Sequence, residues 1–122
     1  MQLLDTNIII YSALPQFEYL QSLVLNPYNA VSTITYVESL GYHKLTVSDR
    51  IYLENVFQRI HILEVDKQVS EKAIELRQTS KMDLPDAIIA ATALIYNVEL
   101  ITVNVKDFIH IPDLNITNPI DK

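Results

Sequence analysis

The sequence contains no cysteine, and Gly41 is its one glycine. Without thiols, disulfides, zinc–thiolate clusters and cysteine nucleophiles are excluded, so any metal must be held by oxygen or imidazole. With a single glycine, a glycine-rich phosphate loop cannot be built. No window approaches the roughly 18 uninterrupted apolar residues that cross a bilayer. The N-terminus carries Asp5 where a secretory leader has a basic start and a long apolar run. These absences lead us to expect a cytoplasmic protein with no membrane partner. Positive charge is also scarce: 9 Lys and Arg stand against 15 Asp and Glu, for a formal net charge of −6. That argues against a general nucleic-acid coat, which needs clustered basic residues. It is compatible with a site that gathers carboxylates around a divalent cation, because the cation reverses the local field.

What is present, 122 residues of which 49% are hydrophobic and 20% charged, fits one globular domain over residues 1–122 with a single core. Gln2 to Thr6 reads as a short buried strand that ends on a polar pair, with a helix following from Thr6 or Asn7. A second helix is expected over Pro15 to Leu25, and the β-branched run from Ala30 to Ile34 suits a second strand. Thr35 can start another helix. Apolar residues then recur at helical spacing from Tyr36 to Leu45 and from Ser48 to Ile60. His61 to Val65 reads as a third strand, and Asp66 to Ser80 as a helix with Val69, Ala73, Ile74 and Leu76 near one face. Asp83 caps a further helix from Leu84 to near Asn97 that is apolar almost all round and therefore belongs inside the domain. Glu99 to Val103 and Leu114 to Thr117 complete four or five strands. Alternating strands and helices predict an α/β domain with a mostly parallel sheet.

In such sheets ligands gather beyond the carboxyl ends of the strands. Asp5 ends the first strand, Glu38 lies one turn past the second, and Asn104 and Asp107 follow the fourth. Asp86 falls in the first turn of the buried helix, where the helix dipole favours an anion. Each has an ordinary structural reading. Asp5 and Thr6 suit a helix cap, Glu38 a solvated helix face, Asp86 a first-turn charge and Asp107 a loop turn. Together they are a set of hard oxygen ligands of the kind a divalent cation takes with a few carboxylates and water. Such a cation lowers the pKa of its water and stabilises charge on a phosphate, so phosphodiester hydrolysis is the chemistry to expect.

Four segments in order carry a more specific signal. They are Leu4-Asp5-Thr6-Asn7, the stretch from Ser32 to Glu38, Leu84-Pro85-Asp86 with the run to Ala93, and the stretch from Ile101 to Phe108. In order and spacing they resemble the motifs of PIN domains, most closely the VapC-like toxins of type II toxin–antitoxin pairs. The resemblance implies a PIN-like three-layer α/β/α fold around a four- or five-stranded sheet. It implies a Mg²⁺- or Mn²⁺-dependent endoribonuclease with Asp5, Glu38 and Asp86 as core acidic metal ligands and Asp107 as a fourth or outer acid. Asn104 stands where the family has Asp or Asn, which removes one negative charge from a second metal site. Thr6 and Thr102 resemble hydroxyl positions that hold a carboxylate or a water. A cognate antitoxin and a homodimer are implied as partners.

Arg77, Lys81 and Lys106 lie close in sequence to the motifs and are the candidates for meeting RNA phosphates, although isolated basic residues are usually solvated surface. His43, His61 and His110 show no metal-ligand spacing. Tyr19, Leu20, Tyr36, Tyr42, Leu45, Tyr52 and Phe57 are large residues that serve either a core or an interface. Two other functions remain open at this point. A non-catalytic PIN-like module would bind RNA or protein without cutting it, and the acids argue against that. A phosphatase or receiver-like domain would use a strand-end Asp as phosphoryl acceptor. It would want a second acid near Asp5, where Asn7 stands.

Overall fold

The structure, a computed structural model, describes residues 1–120. Five parallel strands run in the order β3-β2-β1-β4-β5, with β1 at Gln2–Leu4, β2 at Ala30–Ser32, β3 at His61–Leu63, β4 at Glu99–Ile101 and β5 at Ile116–Thr117. The register pairs Leu3 with Ala30 and with Leu100 on its two sides. Parallel strands need crossovers, and α1 (Thr6–Ser12), α2 (Gln21–Val24), α3 (Thr33–Leu40), α4 (Val47–Arg59), α5 (Lys67–Thr79) and α6 (Leu84–Tyr96) provide them.

Strand side chains alternate between faces, and this alternation divides the core. Leu3, Ala30 and Leu100 pack against Val69, Ala73 and Leu76 of α5 and Ala87, Ala90 and Ala91 of α6. Their neighbours Leu4, Val31 and Ile101 point the other way, onto Ile8 and Ile9 of α1, Val24 of α2 and Leu53, Val56 and Phe57 of α4. The result is the expected α/β/α layering. As anticipated, α6 is the most enclosed helix, and it stops where Asn97 takes the left-handed conformation with φ 54°.

Several expectations need correction. The segment from Pro15 to Leu25 is not one helix: a 3-10 stretch at Pro15–Leu20 with a non-helical Phe17 precedes the four-residue α2. The second strand ends at Ser32, because the Ser32 hydroxyl accepts from the Ile34 N–H and starts α3 two residues before Thr35. That helix closes on Gly41 rather than reaching Leu45. The third, fourth and fifth strands are each shorter than expected. Ile74 is 56% exposed, because only Val69, Ala73 and Leu76 of its helix reach the core. Asp83 holds the cap position of α6, but its side chain makes no capping bond. Among the described residues no helix is long and apolar enough to cross a membrane.

Candidate functional site

The chain leaves β1 for β2 on one side and later places β4 on the other, so the strand order reverses between β1 and β4. Such a reversal opens a crevice at the carboxyl ends of the two strands. Asp5 follows β1 and Thr102 follows β4, and they meet across that crevice. The Thr102 hydroxyl donates to Asp5 Oδ2 at 2.7 Å, and the Asp5 N–H donates to the Ile101 carbonyl at 2.9 Å.

Asp5 is 4% exposed, which for a carboxylate is costly unless donors surround it. Its Oδ1 accepts from the Thr6 N–H at 2.7 Å, and Asn7 Nδ2 lies 3.4 Å from Oδ2. The cap reading of Asp5 is thus correct, and the same side chain is also turned into the crevice. Burial pushes its pKa above 3.8, the Thr102 and Thr6 donors pull it back, and the charges of Glu38 and Asp107 push it up again. Replacing Thr102 with Val removes one of those donors. The Asp5 carboxyl should then titrate at a higher pH, as followed by carboxyl ¹³C NMR; an unchanged titration would show that this hydroxyl does not stabilise the ionised form.

Glu38 is partly buried on α3, and its Oε1 accepts from the Thr6 hydroxyl at 2.7 Å. Asp86 sits in the first turn of α6, and burial raises its pKa from 3.8 to about 6, helped by the charges of Asp5, Asp107, Asp83 and Glu38. Asp107 is exposed in a 3-10 turn at Val105–Asp107, within electrostatic reach of both Asp5 and Asp86. The four predicted acids are therefore one electrostatic group. Among the described residues, no three acidic or imidazole side chains converge tightly enough to enclose a cation as they stand.

The supporting residues divide. Thr6 and Thr102 hold acids directly. Asn104 is exposed, and its backbone N–H, not its side chain, donates to the Thr102 hydroxyl at 3.0 Å. Lys81 and Lys106 line a cavity of about 320 Å³ together with Asp83, Asp86, Asp107 and His110. Arg77 does not line it; its Nε donates to the Met82 carbonyl at 3.3 Å and fastens the end of α5 to the loop before α6. Sequence reasoning missed two residues. His110, set aside for lack of ligand spacing, reaches the cavity and pairs through Nε2 with the Ser80 hydroxyl at 3.0 Å. Asn7 has a buried Oδ1 with no hydrogen-bond partner beside Asp5, and only its place in the first motif marked it.

A carboxyl whose folded pKa lies above its unfolded value binds its proton more tightly in the fold. Its contribution to stability is full below pH 3.8 and is lost as the pH rises through about 6. From Asp86, and in the same direction from Asp5, the metal-free protein should melt lower at pH 7.5 than at pH 5. The difference should be about 3–6 °C, taking roughly 1 kcal/mol after allowing for solvent screening of a partly buried group. Equal melting temperatures in the presence of a chelator would mean that the acids are not crowded.

A family profile described as PIN domain matches residues 3–114. Comparison with curated protein sequences gives no match. Among solved structures, the chain is similar to one from a toxin–antitoxin complex of Klebsiella pneumoniae, at 36% identity over 98% of both chains with a TM-score of 0.80. It is similar also to a chain of VapBC2 from Rickettsia felis bound to a promoter DNA fragment, at 26% identity over 96% of this chain and 97% of that one, TM-score 0.78. VapBC-1 from nontypeable Haemophilus influenzae gives 29% identity over 96% of each chain and a TM-score of 0.75.

Proposed function

The chain belongs to the PIN domain family, and on that premise we propose that it is the ribonuclease toxin of a type II toxin–antitoxin pair. The single observation that carries the reading is the coupling of Asp5, Glu38, Asp86 and Asp107 into one acidic group at the crevice between β1 and β4. Its support is the 36% identity with a chain of the Klebsiella pneumoniae toxin–antitoxin complex.

The donor set suits Mg²⁺ or Mn²⁺. It is made of oxygen alone, and Mg²⁺ commonly takes one or two carboxylates and keeps several waters, so a closed cage of three side chains is not required. Asp5, Glu38 and Asp86 would hold the ion, with Asp107 as an outer acid. Such an ion, when bound, supplies a water of lowered pKa and neutralises charge on a phosphate. The chain's own residues do the rest. Thr102 and the Thr6 N–H donate to the Asp5 carboxyl, which favours its ionised form against burial and fixes its orientation, while the Thr6 hydroxyl holds Glu38. Lys81 and Lys106, which line the same cavity as Asp86 and Asp107, meet the flanking RNA phosphates. Asn104 contributes its backbone N–H rather than a fifth charge, which favours one ion over two.

The same reading gives the protein a cytoplasmic RNA substrate, a cognate antitoxin that covers the crevice, and a homodimer. Tyr36, Val37, Tyr42, Val47 and Ile51, all exposed on and around α3 and α4, are the surface that supports the dimer. Leu20 and Phe57, by contrast, are core. Induced expression of the chain in a bacterial host should arrest growth and fragment cellular RNA, and co-expression of the antitoxin should restore both. Growth at the uninduced rate with intact RNA would refute the toxin assignment.

A further inference from the structure

Thr35 is fully buried on α3, and it appears in none of the acidic motifs' ligand positions. Its Oγ1 lies 3.0 Å from Thr6 Oγ1, and that is the one hydrogen bond its hydroxyl makes among the described residues. The Thr6 hydroxyl in turn lies 2.7 Å from Glu38 Oε1. Counting protons fixes the direction of this chain. The Thr6 hydroxyl carries one proton, and it donates that proton to Glu38 Oε1. Thr6 then has only lone pairs to offer Thr35, and Thr35 must donate. The chain of donation is therefore Thr35 to Thr6 to Glu38, running from α3 to α1 and back to α3. Leaving the inner hydroxyl without its partner would strand a buried polar atom.

We propose that Thr35 is a positioning residue for Glu38, acting through the Thr6 hydroxyl. This rests on the proposed metal-dependent ribonuclease for its catalytic consequence, but not for the hydrogen-bond chain itself. By polarising the Thr6 O–H toward Glu38, the Thr35 donor strengthens the bond that sets one acid of the site relative to the other. The Thr6 residue lies next to Asp5, so the same contact fixes the spacing of Asp5 and Glu38.

The test uses the full chain with Thr35→Val and Thr35→Ser. Valine keeps the shape and removes the donor; serine keeps the donor. Thr35→Val should lower kcat for RNA cleavage about tenfold with KM within about twofold, and weaken Mn²⁺ binding about tenfold, the size usual for loss of an outer-shell partner. Thr35→Ser should keep wild-type values. Independently of activity, Thr6→Val and Thr35→Val should show strongly non-additive losses of thermal stability, the double variant melting no lower than the worse single one. Additive losses overturn the inference, as do wild-type kcat and Mn²⁺ affinity in Thr35→Val. Thr35→Ala gives the same readings should valine prevent folding. Absence of RNA cleavage by the wild type would refute the ribonuclease reading, while the stability cycle would still decide the role of Thr35.

Discussion

Asp5→Asn is expected to lower RNA cleavage by on the order of 10³-fold while leaving the fold intact. Asn is close to isosteric, so an oxygen still accepts the Thr6 N–H, and the helix cap survives. What disappears is the charge at the centre of the crevice. The amide nitrogen also cannot accept from Thr102, whose hydroxyl must turn or lose its partner. Because the carboxylate is buried and its pKa is raised, removing the charge relieves a cost the fold now carries. Activity should collapse with a melting temperature in chelator that is unchanged or slightly higher. A variant that still cuts within tenfold of wild type would remove Asp5 from the chemistry.

The second large effect is expected at Asp86. Asp86→Asn should cost about 10²- to 10³-fold in kcat and raise the stability of the metal-free protein by roughly 1 kcal/mol. The two signs are opposed because burial, and then the neighbouring like charges, make an ionised Asp86 costly to the fold, a cost that the cation of the proposed function would offset. The pH dependence separates this account from simple damage. Wild-type stability should decline as the pH rises through about 6, and the variant should lose most of that decline. Melting curves from pH 4.5 to 8 in chelator measure it. If the decline persists in the variant, the raised pKa belongs to another group.

How far the sequence revealed this arrangement depends on what each signal rests on. The strands and the core faces were readable because period-2 and period-3.6 patterns are imposed by burial, as at Leu3 and Leu4 or Val69, Ala73 and Leu76. Strand ends were not, since the Ser32 cap ends β2 earlier than its β-branched composition indicates. The kink at Phe17 left no mark in composition. The acids were legible as one set of ligands, but the contacts that hold them, such as Thr102 on Asp5 across the reversal of strand order between β1 and β4, are a property of topology. Thr35 and His110 were hidden for the same reason: each acts with a residue about 30 positions away in the chain, Thr6 and Ser80 respectively. Arg77 shows the converse error, where closeness in sequence to a motif did not bring a side chain to the cavity.

The most direct test of the central claim is cleavage of a mixed set of structured RNAs by the purified chain, with Mg²⁺, with Mn²⁺ and with EDTA, beside Asp5→Asn and Asp86→Asn. The account predicts cutting by the wild type with either metal, none in EDTA, and near-complete loss in both variants. Cutting that survives EDTA or either substitution, or no cutting by the wild type with any metal, would contradict it.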